Sequence, residues 1–251
     1  MFPAFVINLP RDSERRSHIE SELARIGLDA TFVPGLDGNQ LIPDDLARYD
    51  QRKCRRVYGV DMVRAELGCY LSHYRLFQRV VDEKLDAALI LEDDVTFEDD
   101  VVEALQKLED LRRDWKVVRL STMRRSLVDR APDYGSDVAR LTHRYRVLRL
   151  KTHVLGASAY VITRTGARRM LDYGRRIFMP IDQTMDRFWE NGIVPYVVYP
   201  FPVHHGHDFV SRIGERDPKR RYQMPQHVLW QRRLTRLSDS VRKRIFNIVN
   251  P

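Results

Sequence analysis

Three consecutive acids, Glu92-Asp93-Asp94, follow directly on the apolar run Ala87-Ala88-Leu89-Ile90-Leu91. Carboxylates this close repel one another, and partial burial would raise their pKa values. A divalent cation relieves that repulsion, and hard cations prefer oxygen ligands. The acids alone fit equally well a solvated turn leading into the next helix. The apolar run has strand length and no turn residue. It therefore sets the acids at a strand C-terminus, the edge at which open α/β sheets bind ligands. On an extended chain Glu92 and Asp94 share a face and Asp93 points away.

Three further groups could carry chemistry. Arg11, Arg15 and Arg16 lie between a first apolar run, Phe5–Leu9, and a helical pattern. A strand-to-helix loop of that kind suits a nucleotide or diphosphate, and the planar guanidinium fork suits phosphate; a solvated helix face is the alternative. Ser72 and His73 sit on a helix ahead of the acidic strand. Adjacent helical residues do not face each other, so a Ser–His nucleophile is disfavoured and a structural His73 is the simpler reading. His204, His205 and His207 could bind zinc, but no cysteine lies near and the acids suit a harder metal. One of the three could complete an oxygen-rich site.

The elements that must position these groups alternate between strand and helix. Phe5–Leu9 predicts a strand; Ile19, Leu23 and Ile26 repeat at helical spacing, with Asp12 or Ser13 as cap and Gly27 as terminator. Residues 30–33 predict a second strand, and this β-α-β opening is typical of a parallel sheet. Residues 36–64 are polar and mixed, with a basic cluster at Arg52, Lys53, Arg55 and Arg56, and read as a loop or a solvated face. Leu67, Leu71, Tyr74, Phe77 and Val81 form one helical stripe. Val101, Leu105 and Leu108 mark another helix, and 116–120 a strand. Residues 121–143 read as a long loop, 145–150 and 157–163 as strands, and Thr165 as the cap of the next helix. Ile181, Met185, Phe188 and Trp189 predict one helix, and 196–199 the last strand.

The chain has 251 residues, 43% hydrophobic and 31% charged, which fits a globular protein with a substantial core. The net charge of +8 favours anionic partners. Cys54 and Cys69 are the only cysteines, and a reducing compartment is the simpler expectation. No apolar run approaches membrane-spanning length and the N-terminus lacks a signal-peptide pattern, so the expected location is cytoplasmic. Neither a GxGxxG nor a P-loop occurs.

Five blocks carry a resemblance to a known family. Val6-Ile7-Asn8-Leu9-Pro10-Arg11 with Arg15-Arg16, then residues 66–73, then Leu89–Val95, then residues 156–162 with Gly166-Ala167, and Pro180-Ile181-Asp182 stand in that order. They resemble glycosyltransferase family 25, which includes lipooligosaccharide galactosyltransferases, over roughly residues 4–213. The resemblance implies a GT-A-like α/β fold, a mostly parallel sheet flanked by helices. It implies inverting transfer of a hexose, usually galactose, from a UDP-sugar to a lipopolysaccharide or other glycan acceptor, with Mn²⁺ or Mg²⁺ as cofactor. The E-D-D triplet would stand for the family's D-x-D. Asp94 then matches the usual metal ligand, with Asp93 the other acid open to that role, and Glu92 would contact ribose or a metal-bound water. Asn8, Arg11 and Arg16, with Ser72 and His73, match the donor-binding blocks. Acceptor attack needs a carboxylate base; Asp182 is the candidate, with a helix N-cap as its alternative role.

The chain divides by pattern into a catalytic domain, 1–225, and a basic amphipathic helix, 226–251. In the latter Trp230, Leu234, Leu237, Val241, Ile245 and Ile248 form one stripe, accompanied by six basic residues and the single acid Asp239. Such a helix suits an anionic membrane surface and a peripheral site on the inner face of the cytoplasmic membrane; packing of the stripe on the catalytic domain is the alternative. UDP-glucose or another donor is the neighbouring enzymatic reading. A basic nucleic-acid-binding protein is the reading from another class, but no recognisable module supports it, and no nucleic-acid partner is expected.

Overall fold

A computed structural model describes residues 1–111, 115–206 and 225–250. Strands β1 (Ala4–Asn8), β2 (Thr31–Pro34) and β3 (Ala87–Glu92) form the parallel half of an eight-stranded sheet. Between β1 and β2 runs α1 (Ser13–Ile26), ended by Gly27 in the left-handed conformation at φ 67°, where a side chain would cost energy. A long helix, α4 (Arg64–Asp82), precedes β3. Beyond β3 the short strand β4 (Val95–Phe97) and α5 (Val101–Asp110) lead to β5 (Val117–Arg119). Strands β6 (Gly135–Arg140), β7 (Arg146–Leu150), β8 (Ala159–Thr163) and β9 (Tyr196–Tyr199) complete the sheet in the order β2-β1-β3-β8-β5-β9-β7-β6. Strands β7 and β8 run against the other six. The sheet is thus mostly co-directional, as the βα alternation implies.

Strand alternation builds two cores. Phe5, Ile90, Tyr160 and Ile162 face α4 and α7 (Arg164–Tyr173). Val6, Leu89, Leu91 and Val161 face α1 and α5. Each central strand is apolar on both faces because helices cover both. The predicted stripe of α4 is buried at Leu67, Leu71, Tyr74 and Phe77.

Several expectations need correction. The 36–64 segment is not a loop but contains a short 3₁₀ turn (Gly38–Gln40), α2 (Pro43–Ala47) and α3 (Gln51–Val57). Pro43 at the first helical position and Asp50, whose side chain accepts from Lys53 N, start those helices, and the flanking arginines mask the buried Cys54 and Tyr58. The 121–143 loop contains α6 (Arg125–Val128) and β6, an edge strand whose one open side lets polar residues occupy it. Thr163 rather than Thr165 caps α7, accepting from Gly166 N at 3.1 Å. The single helix expected over 181–189 is two, α8 (Ile181–Met185) and α9 (Phe188–Asn191). A further strand, β10 (Val203–His205), follows β9 and pairs with β4. The tail is one helix, α10 (Gln226–Val249), and its apolar stripe faces solvent instead of packing on the domain.

Candidate active site

Parallel pairing sets Ile7 beside Glu92, so β1 and β3 deliver Asn8 and the three acids to one sheet edge. β3 stops at Glu92 and the chain turns at Asp93-Asp94. Strand alternation therefore does not govern the triplet, and all three acids line one cleft of about 330 Å³. Asp93 is the anchored member: Asn8 Nδ2 donates to its Oδ2 at 2.7 Å and Arg15 to its Oδ1 at 3.0 Å. The same Arg15 nitrogen lies 3.1 Å from Asp94 Oδ2. The other oxygen of Asp94, Oδ1, is buried without a hydrogen-bond partner.

The acids differ electrostatically. Burial, and then the charge of Glu92, pushes the Asp94 carboxyl up to about 6, against the pull of Arg15. Burial also acts to raise Glu92, but the hydrogen bond and charge of His73, followed by His205 and Arg15, outweigh it and hold Glu92 below its ordinary value. His73 is buried in α4, with Nε2 3.2 Å from Glu92 Oε1 and Nδ1 2.8 Å from Tyr160 Oη. Burial raises the Tyr160 phenol well above its ordinary range. It therefore stays protonated, and the two ring nitrogens of His73 bridge its hydroxyl and the Glu92 carboxylate. His73 thus positions a site acid and is not merely a core residue.

The late histidines separate by strand alternation. His205 turns inward, lines the cleft and lies 3.1 Å from Ser158 Oγ, while Gly206 N donates to Asp94 O at 2.7 Å. His204 turns outward to Glu98 at 2.9 Å. His207 lies outside the described residues.

Other predicted residues hold different posts. Arg11 lines the cleft mouth and pairs with Asp37. Arg16 does not reach the cleft: it pairs with Glu20 and lies over the Phe32 ring, 3.3 Å from its centroid. One step along a helix turns the side chain by about 100°, so Arg15 faces the acids and Arg16 cannot. Ser72 lines the cleft, but its hydroxyl donates to Gly68 O and accepts from Leu36 N, both at 2.8 Å. It ties α4 to the 36–38 segment. Those two backbones meet at Gly68 and Gly38; a Cβ on Gly68 would strike Leu36 O, and one on Gly38 would strike Arg64 O.

Asp182 is not among the residues lining the cleft. Pro180 takes the N-cap position of α8, so the capping role is not the one Asp182 fills. Its Oδ2 instead accepts from Gly156 N at 3.1 Å. Buried Arg119 donates to Asp182 O at 3.3 Å and to Gly156 O, with Asp186 at 3.7 Å. Burial pushes Asp186 up to about 6.

Sequence reasoning grouped Arg15 with Arg11 and Arg16 but carried only the latter two into the donor-binding set, and it left Cys69 out of the site. Arg15 shares the buried face of Ile19 and Leu23 at intervals of four, a signal present in the sequence. Cys69 lies four residues before His73 on α4. Its sulfur, one His73 nitrogen and one Glu92 oxygen all lie within 4.8 Å of one another. Burial and the charges of Glu92, Asp182 and Asp94 raise that thiol well above its ordinary value, so it stays protonated beside the acids.

Sheet order, flanking helices and an acidic strand-end cleft define a GT-A-like α/β protein. The profile described as "Glycosyltransferase family 25 (LPS biosynthesis protein)" matches residues 1–185, and the chain belongs to that family. A "Glycosyltransferase 25 family member" of Aedes aegypti is 29% identical over 67% of this chain and 27% of its own length. "Procollagen galactosyltransferase 2" of Homo sapiens is 27% identical over 71% of this chain and 29% of its own length. The chain thus spans under a third of these relatives. A solved glycosyltransferase "involved in the glycosylation of the major capsid of PBCV-1" aligns over 91% of this chain and 98% of its own, at 10% identity and a TM-score of 0.41.

Proposed function

We propose that the chain transfers a hexose, galactose first, from a UDP-sugar to a lipopolysaccharide or other lipid-linked glycan, with inversion at the anomeric carbon. Family membership supports sugar transfer, and a relative named as a galactosyltransferase supports the sugar. The observation that carries the site is the buried, unpartnered Asp94 Oδ1 beside Glu92. An orphaned carboxylate oxygen is costly in a protein interior, and a hard divalent cation is its natural partner. The residues therefore fit Mn²⁺ or Mg²⁺, with Asp94 as the ligand and Glu92 beside it. Asp93 fits less well, since both of its oxygens already accept from Asn8 and Arg15. When bound, the cation supplies Lewis-acid neutralisation of charge growing on the departing diphosphate.

The chain's own residues divide the remaining work. Arg11 and Arg15, at the start of α1, offer guanidinium groups and a helix N-terminus to phosphate oxygens. Asn8 and Arg15 hold the acidic turn in place, and His73 keeps Glu92 charged for ribose or a water. The acceptor hydroxyl attacks the anomeric carbon as the bond to the UDP oxygen breaks, and its proton passes to a carboxylate on the opposite face. We assign that role to Asp182. Its Gly156 hydrogen bond occupies one oxygen, and its charge, like those of Glu92 and Asp94, is felt at the Cys69 thiol. With a lipid-linked acceptor, our reading of the location is cytoplasmic, peripheral at the inner face of the membrane.

The test is a panel of sugar nucleotides assayed for UDP release and transfer, with Mn²⁺ and with chelator. UDP-galactose turnover that requires the metal supports the reading. Turnover undiminished by chelation, or none with any UDP-hexose, contradicts it.

A further inference from the structure

The tail helix lies on the domain by its polar side. Arg187, buried beside α9, holds Asp239 through two hydrogen bonds of 2.8 and 2.7 Å, and Trp189 Nε1 donates to the same carboxylate at 3.2 Å. Phe246 packs edge-on against Phe188 at 5.3 Å, and Asn247 donates to Lys151 O at 3.1 Å. These contacts hold α10 at its middle and its end. The apolar stripe takes no part in them: Trp230, Leu234, Leu237, Val241, Ile245 and Ile248 are between 54% and 76% exposed. They point away from the domain on one face about 27 Å long, at 1.5 Å per residue. A contiguous apolar face of that length marks an interaction surface.

The charge around the stripe selects its partner. At 100° per residue, Arg233 and Arg244 fall on one shoulder of it, and the Arg233 guanidinium lies 5.2 Å from the Trp230 ring. The only acid of the helix, Asp239, faces inward on Arg187. A second copy packed stripe to stripe would gather arginines at the seam with no acid from either helix to meet them. An anionic lipid surface meets both needs: acyl chains for the stripe, and phosphates at the depth where arginine and tryptophan come to rest.

We propose that the outward face of α10 docks on anionic phospholipid while its inward face fastens the catalytic domain to that surface. The proposal rests on the sugar-transferase reading only for its purpose, to hold the enzyme beside a lipid-linked acceptor. Among the described residues no helix is long and apolar enough to cross a membrane, and this surface needs none.

The experiment is co-sedimentation of the full chain with vesicles of phosphatidylcholine, with and without 30% phosphatidylglycerol, read together with Trp230 emission. The wild type should bind the anionic vesicles at least tenfold more tightly, with a blue shift and a fall in binding as salt rises. The pair Leu234→Asp and Ile245→Asp, at exposed positions, should leave the melting curve unchanged and weaken binding at least tenfold. Arg233→Ala with Arg244→Ala should remove the preference for the anionic lipid. Undiminished binding by the folded Asp variants overturns the proposal, as does a wild type that ignores vesicles. So does self-association of the wild type that the Asp variants abolish. No sugar nucleotide enters these measurements, so they stand or fall apart from the transferase reading.

Discussion

Asp94 and Asp93 are adjacent acids with opposite circumstances. Asp93 is tied by Asn8 and Arg15, whereas Asp94 keeps a buried oxygen free of any hydrogen-bond partner. Asp94→Asn should fold as the wild type does and lower metal-dependent turnover by about 10²-fold or more, in line with removal of one preorganised electrostatic partner. Asp93→Asn should instead weaken the fold, because an amide cannot accept at both positions and so loses one of the buried hydrogen bonds from Asn8 and Arg15; chemical denaturation of the two variants distinguishes them. Asp182→Asn should lower kcat by about 10²- to 10⁴-fold with donor affinity retained; retained kcat with lost donor affinity would move the base elsewhere. At Gly68, a methyl group would meet the Leu36 carbonyl across the α4 seam. Gly68→Ala should cost about 1–3 kcal/mol, read as a shift of the urea midpoint, and loosen the wall of the cleft that Ser72 ties. At this scale the sequence marked the acids, Asn8, Arg11 and His73 but misplaced Arg16. The acids are contiguous and visible, whereas the choice between Arg15 and Arg16 is set by helix phase, legible only through Ile19 and Leu23.

Among the elements, α10 carries an acid-sensitive contact. His153 lies beneath it, edge-on to Trp189. Burial, followed by the charges of Lys243, Arg124 and Arg187, lowers its pKa from 6.5 to about 4. The unfolded chain then binds the extra proton between pH 6.5 and 4, so stability is full above that window and falls as pH drops through it. The loss should reach about 3 kcal/mol near pH 4, and His153→Gln should remove that component from unfolding curves taken from pH 7.5 to 4.5. An equal slope in wild type and variant would assign the acid sensitivity to other groups. The apolar strands and the long stripe of α4 were legible because burial on two faces, or on one helical face, leaves a period in the sequence. β6 was not, because an edge strand with one covered side tolerates Ser136, Asp137 and Arg140. α3 was hidden by arginines that solvate its outer face, and α2 by its length of five residues with no buried stripe. The stripe of α10 was legible as a helix suited to face outward; what fixes that direction is tertiary, through Arg187 and Trp189 on Asp239, Phe188 on Phe246 and Lys151 on Asn247.

The whole molecule joins two surfaces. An acidic cleft sits at the edge where β1 and β3 end, and a basic apolar helix is strapped elsewhere to the domain by a buried arginine. The chain spans under a third of the relatives it matches, and its family match lies within residues 1–185. The account turns on the cleft being a nucleotide-dependent metal site. The most direct measurement is Mn²⁺ binding followed by water-proton relaxation, with UDP present and absent, in wild type and Asp94→Asn. The account predicts one Mn²⁺ site in the wild type that UDP tightens by about tenfold or more, roughly 1.4 kcal/mol of coupling, and that Asp94→Asn loses while remaining folded. Equal binding in the folded variant, or no Mn²⁺ bound by the wild type with UDP present, would contradict it.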